Sequence, residues 1–144
     1  MCTIESASRG YRYNDRNMAV EIRQITEKAD MRKFVRFNLR LYRRNPYHVP
    51  GLIEDELLTL DPARNPAFKF CEAAYFLAYK DGRIVGRIAG IINHRANETW
   101  NQNNARFGFV DFINDNEVVD ALFDAVIDWA RKRGKEMLQG PMGL

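Results

Sequence analysis

The chain has 144 residues, about one domain, and its 46% hydrophobic and 28% charged residues give the balance of a globular protein; a disordered tail, a collagen-like repeat and a coiled-coil rod are excluded. Its net charge of +3 admits an anionic ligand without requiring nucleic acid. No apolar run approaches the ~20 residues that span a bilayer, and the start Met1-Cys2-Thr3-Ile4-Glu5-Ser6 lacks the basic head and apolar stretch of a secretory signal. A cytoplasmic protein with no membrane partner is therefore expected. Cys2 and Cys71 are too few for a disulfide framework and have no metal-site spacing, so no metal is expected.

Residues 1 to 17 are polar and without period, and read as a flexible leader before a domain over 18 to 144. Val20, Ile22 and Gln24 alternate with Glu21, Arg23 and Ile25, which predicts a half-buried first strand. Asp30 is placed to cap a helix over Met31 to Arg44, where Met31, Phe34, Val35, Leu41 and Tyr42 recur at helical spacing. Pro46 and Pro50 forbid its continuation. A shorter helix fits Ile53 to Leu60, ended by Asp61-Pro62, and Ala63 to Phe70 reads as a loop.

Ala73 to Tyr79 and Ile84 to Ile92 flank Asp81-Gly82, a strong hairpin signal. Asn97 to Asn104 reads as a loop. Arg106 to Phe112 alternates as a fourth strand, with Phe107, Phe109, Asp111 and Ile113 expected on one face. Asn114 and Glu117 have capping-box spacing before a helix that buries Val118, Val119, Leu122, Phe123, Val126, Trp129 and Ala130 and stops at Gly134. Lys135 to Gly140 begins a fifth strand. The order β-α-α-β-β-β-α-β predicts an α/β fold with a mixed sheet.

This order resembles the first part of the GNAT fold of acyl-CoA N-acyltransferases. The wording is similar to that of longer, uncharacterised bacterial GNAT-like proteins. It covers Leu41-Tyr42-Arg43-Arg44-Asn45-Pro46-Tyr47-His48-Val49-Pro50, the acids Glu54 and Glu56, Asn65-Pro66-Ala67-Phe68, Asp81 to Ile88, Phe107-Gly108-Phe109, the helix from Asn114 to Gly134, and Gly140-Pro141-Met142-Gly143. The resemblance implies that a complete domain continues with a helix and two strands, so Leu144 is expected to fall inside a longer product. An unpaired apolar edge at Met137-Leu138 is then expected to drive association, most simply a homodimer.

The resemblance also implies acetyl-CoA or another acyl-CoA as cofactor and a small-molecule amine as substrate, with backbone N–H groups of the fourth strand stabilising the oxyanion. It places the cofactor along Phe109, Val110, Asp111, Phe112, Asn114 and Asn116. The fold's phosphate turn carries glycines and a basic residue. Here Phe112 to Val118 has neither, and Asp115 and Glu117 read as first-turn stabilisers.

Candidate acid–base groups are Asp111 on the fourth strand, Glu54, whose carboxylate could orient an amine, and His94 beyond the third strand. His48, in a Pro-flanked loop, has no neighbour that identifies a triad, and Cys71 reads as packed. Arg36, Arg40, Arg43 and Arg44 beside Tyr42 and Tyr47 read as a solvated helix face; a phosphate-contacting surface is the functional alternative. A non-catalytic binding domain of the same fold and an RNA-associated basic domain compete with the acyltransferase.

Overall fold

A computed structural model describes Cys2, Thr3 and residues 19 to 144. The elements are β1 (Cys2–Thr3), β2 (Glu21–Gln24), α1 (Lys28–Leu41), α2 (Ile53–Leu60), a 3-10 turn at Pro66–Lys69, β3 (Cys71–Lys80), β4 (Arg83–Asn93), α3 (His94–Thr99), β5 (Asn104–Phe112), α4 (Asn116–Lys132) and β6 (Met137–Gln139). Apart from Cys2 and Thr3, the leader expected over residues 1 to 17 lies outside the described residues.

One mixed sheet runs in the order β1-β6-β5-β4-β3-β2. The pairings are antiparallel except β5 with β6, which lie parallel with α4 as the crossover. Helix α4 covers one face. Its Val118, Leu122, Val126 and Ala130 are fully buried against Ala78, Ile88, Ile92 and Ala105. Helices α1 and α2 cover the other face, where Phe34, Val35 and Leu60 meet Tyr75, Leu77 and Ala89.

Two glycines of β4 let α4 approach. A Cβ on Gly86 would stand 2.7 Å from Leu122 Cδ1, and one on Gly90 would stand 2.8 Å from Trp129 Cε3. The helix ends as its sequence requires. Gly134 takes φ 71°, and Gly134 N and Lys135 N donate to the carbonyls of Arg131 and Ala130.

Several boundaries differ from those expected. Helix α1 begins at Lys28 with Glu27 at the cap position and no side-chain cap; Asp30 lies in the first turn and pairs with Lys33 at 3.0 Å. The cap of α4 is Asp115, one residue past Asn114, and its Oδ1 accepts from Glu117 N at 3.0 Å. Helix α3 overlaps the start of the loop expected over Asn97 to Asn104, and the 3-10 turn lies in the loop expected over Ala63 to Phe70. Both are set by an asparagine rather than by apolar period: Asn93 Oδ1 accepts from Ala96 N, and Asn65 Oδ1 from Ala67 N, each at 2.9 Å.

The apolar edge expected at Met137 and Leu138 is not open. Thr3 and Cys2 pair with these two residues antiparallel, so a second strand satisfies that edge within the chain.

The close packing at Gly90 gives a direct test. Gly90→Ala is expected to lower unfolding free energy by about 1–3 kcal/mol through overpacking against Trp129. Urea denaturation measures it, and adding Trp129→Phe should recover part of the loss.

Candidate functional site

Arg87 stands in the middle of β4 and is only 4% exposed. A buried guanidinium must be paired and hydrogen-bonded. Arg87 Nε donates to Asp111 Oδ2 at 2.7 Å from the adjacent strand, where the two residues are register partners. Its Nη1 donates to Glu56 Oε1 at 2.9 Å and to the carbonyl of Phe34 at 3.0 Å. The guanidinium carbon lies 5.0 Å over the Phe34 ring. Asn38 Nδ2 donates to the same Asp111 oxygen at 3.0 Å. The Tyr42 hydroxyl faces Asp111, and burial together with that carboxylate raises its pKa. One cation and two carboxylates therefore join α1, α2, β4 and β5.

A bulge in β5 puts Asp111 on this face. Ala89 pairs with Gly108 and Arg87 with Asp111, so Phe109 and Val110 together face the single residue Ile88. Phe109 has φ 48°, a left-handed conformation that costs a non-glycine residue free energy. The extra residue shifts the strand's parity. Phe107 packs on the α4 side, edge-on to Phe123, whereas Phe109 packs with the α1–α2 core. The expected common face for Phe107, Phe109, Asp111 and Ile113 is thereby overturned, because strict alternation assumes no inserted residue. Before the bulge, after Arg106 pairs with Gln139, β6 leaves β5. Met142 N donates to the Phe107 carbonyl at 2.8 Å, and a Cβ on Gly108 would meet the Met142 carbonyl at 2.0 Å. Only glycine admits this backbone crossing.

The other expected residues lie elsewhere. His94 is beyond the end of β4, seven residues or roughly 23 Å along the chain from Arg87. Its Nε2 is 3.2 Å from Glu72, which also binds Arg133; partial burial pushes the Glu72 carboxyl up, but its hydrogen bonds to Arg133 and His94 outweigh this and hold it low. Glu54 is exposed near the start of α2, 3.6 Å from Arg32. The three candidate acid–base groups thus have separate partners. Asp111 accepts two hydrogen bonds at one oxygen and so ties α1 to β4. Phe112, Asn114 and Asn116 are exposed between the end of β5 and the first turn of α4.

Arg87 and Asn38 escaped the sequence reading as site residues, and Glu56 entered it only as one acid of the cluster with Glu54. The available signal was one arginine inside the apolar run Ile84 to Ile92, which implies a buried counter-charge.

At the start of α4, Lys80 Nζ lies 2.8 Å from Asp115 Oδ2 and 3.9 Å from Glu117. The Lys80 ammonium and the N–H of Glu117 hold the Asp115 carboxyl below its usual range. A coenzyme A pyrophosphate does not fit these residues. The cap carboxylate occupies the amide donors, the first turn is acidic, and the nearby cation is already neutralised.

A separate open cavity of about 430 Å³ lies between α1, α2 and the β2–β3 edge. Ile25, Met31, Leu57, Leu60 and Tyr75 give it an apolar floor, and Glu54, Glu27, Arg32 and Arg64 stand at its rim.

These features can be set beside known proteins. The chain superposes with a TM-score of 0.58 on an aminoglycoside acetyltransferase from an uncultured soil metagenomic sample, solved with sisomicin, at 14% identity over 85% of this chain and 77% of that one. It superposes with 0.55 on a predicted acetyltransferase from Clostridium acetobutylicum solved with acetyl-CoA, at 10% identity over 86% of this chain and 81% of that one. The chain has the GNAT fold. No family model matches the sequence. Among curated proteins it is 29% identical over 133 residues to a bacterial ceramide synthase of Caulobacter vibrioides, covering 92% of this chain and 35% of that protein. It is 32% identical over 123 residues to protein YghO of Escherichia coli, covering 85% of this chain and 31% of that protein. The chain spans about a third of the length of both relatives.

Two outcomes follow from the charges. Arg87→Met leaves Asp111 and Glu56 without their buried cation and is expected to cost about 3–5 kcal/mol in denaturant unfolding; Arg87→Met with Asp111→Leu and Glu56→Gln should recover much of it. Asp115→Ala is expected to cost about 1 kcal/mol near neutral pH through loss of the cap. Because the folded pKa of Asp115 is depressed, its contribution is present above the unfolded value near 3.9 and is lost as pH falls through the folded value. The difference between wild type and variant should therefore shrink in acid, as read from melting midpoints across pH.

Proposed function

We propose that this chain is a GNAT-fold unit of an N-acyltransferase that acylates an amine carrying an apolar body. The observation that carries the reading is the fold's likeness to acetyltransferases, one of them solved with acetyl-CoA. The cavity supports the acceptor class. Its apolar floor suits a hydrocarbon chain, and Glu54 at the rim is exposed and placed to hold an ammonium beside its 3.6 Å contact with Arg32. The Caulobacter relative is named for making a ceramide, an amide of a long-chain amino alcohol, which agrees with that class. Asp111 and Arg87 hold the helices and the β5 bulge in place, and neither moves a proton. An acyl thioester would supply the acyl group. Its donor would be held without a pyrophosphate contact at α4.

A second reading is favoured by that same closed terminus: a non-catalytic GNAT-fold binding domain. Calorimetry separates the two. On the transferase reading, S-acetylpantetheine, which lacks the pyrophosphate, and acetyl-CoA bind within about threefold of each other, a difference below roughly 0.7 kcal/mol. Adding a long-chain primary amine should then yield its amide by mass spectrometry. No heat from either donor at millimolar concentration, and no amide, would leave the binding-domain reading standing.

A further inference from the structure

Beyond α1 the chain turns outward. Tyr47 is 91% exposed, Val49 86% and Leu52 71%, three large apolar side chains within six positions. The loop is built rather than loose. Pro46 and Pro50 fix backbone angles beside Tyr47 and Val49. Tyr47 N donates to Asn45 Oδ1 at 3.0 Å, His48 N donates to the Asn45 carbonyl, and the His48 ring lies 5.0 Å from that of Tyr42. The apolar tips are thus held in water by a shaped turn, an arrangement that folding alone does not reward.

Basic residues lie just ahead of these tips in the chain. Arg36 and Arg40, four residues apart, share an exposed face of α1, and Arg43 and Arg44 are exposed in the turn that follows. Among the described residues none of the four meets a carboxylate, whereas Arg32, Lys33, Lys80, Arg87, Lys132 and Arg133 all do. Arg40 is tied instead to the Ile84 carbonyl. The following acids Glu54 and Glu56 are engaged by Arg32 and Arg87, which leaves Asp55 as the acid without a cation partner there among the described residues.

We propose that this loop and the arginine stripe dock the protein on the surface of a bilayer containing anionic lipid. Tyr47, Val49 and Leu52 enter the boundary between headgroups and acyl chains, and the arginines remain at the level of the phosphates. Among the described residues no helix is long and apolar enough to cross a membrane, and surface docking requires none. The expectation of no membrane partner rested on the missing span and is revised here. A single-stranded nucleic acid explains the arginines but not the tips, because Val49 and Leu52 offer no ring face for base stacking.

Cosedimentation of the 144-residue chain with phosphatidylcholine vesicles, with and without phosphatidylglycerol, tests the proposal without any acyl donor. Binding is expected only with phosphatidylglycerol, and it should weaken as salt is raised. Arg43→Ala and Arg44→Ala should each weaken it about fivefold. Tyr47→Ser, Val49→Ser and Leu52→Ser combined should abolish it with an unchanged melting midpoint, because these side chains are exposed. No binding to anionic vesicles at low salt would overturn the proposal. So would equal binding by the triple serine variant, or tighter binding to an oligonucleotide that the triple variant retains.

Discussion

The pairing of Arg87 with Asp111 and Glu56 is the constraint on which the α1–α2 half of the molecule depends. The apolar core there is thin. Phe34, Val35 and Leu60 supply the buried contacts, while α2 has only eight residues and a single fully buried side chain. A helix that short is not stable alone. The guanidinium reaches the carboxylate of α2, the backbone of α1 and the side chain of β5 at once. Its fixed fork geometry makes this possible, and a lysine could not reproduce it. The knot adds specificity of arrangement, because a shift of either helix would strand a buried charge.

The bulge at Phe109 and Val110 is coupled to that knot. Without the inserted residue, Asp111 would face α4, among valines and leucines. With it, the carboxylate falls opposite Arg87 and Phe109 joins the α1–α2 core. The strained φ of Phe109 is offset by the ion pair that it permits. Regular pairing of β5 with β6 ends at Arg106, ahead of the bulge, and Gly108 and Gly140 let the departing backbone cross closely.

Charge is sorted by place in this chain. Glu56 and Asp111 turn inward to Arg87 and Asp115 caps α4 beside Lys80, while Arg36, Arg43 and Arg44, which meet no carboxylate among the described residues, lie on α1 and the turn beyond it. The mild total of +3 hides this separation.

Much of the architecture was legible in the residues. The 3.6-residue spacing of Val118, Leu122, Val126 and Trp129, the Asp81-Gly82 turn and the stop at Gly134 each encode a local structure through short-range sterics, and each appears where it was read. The acidic character of the α4 first turn was likewise visible, since a cap acts within three residues. What the sequence could not decide was long-range. The register that sets Arg87 against Asp111 depends on a one-residue insertion in β5, and nothing in Phe107-Gly108-Phe109-Val110 marks which residue is extra. The choice of Glu56 over Glu54 as the buried partner depends on how α2 rotates onto the sheet. The pairing of Cys2–Thr3 with β6 joins the two ends of the chain. Local propensity acts over one turn or one hairpin; these outcomes required packing between residues tens of positions apart, and only the tertiary structure supplied it.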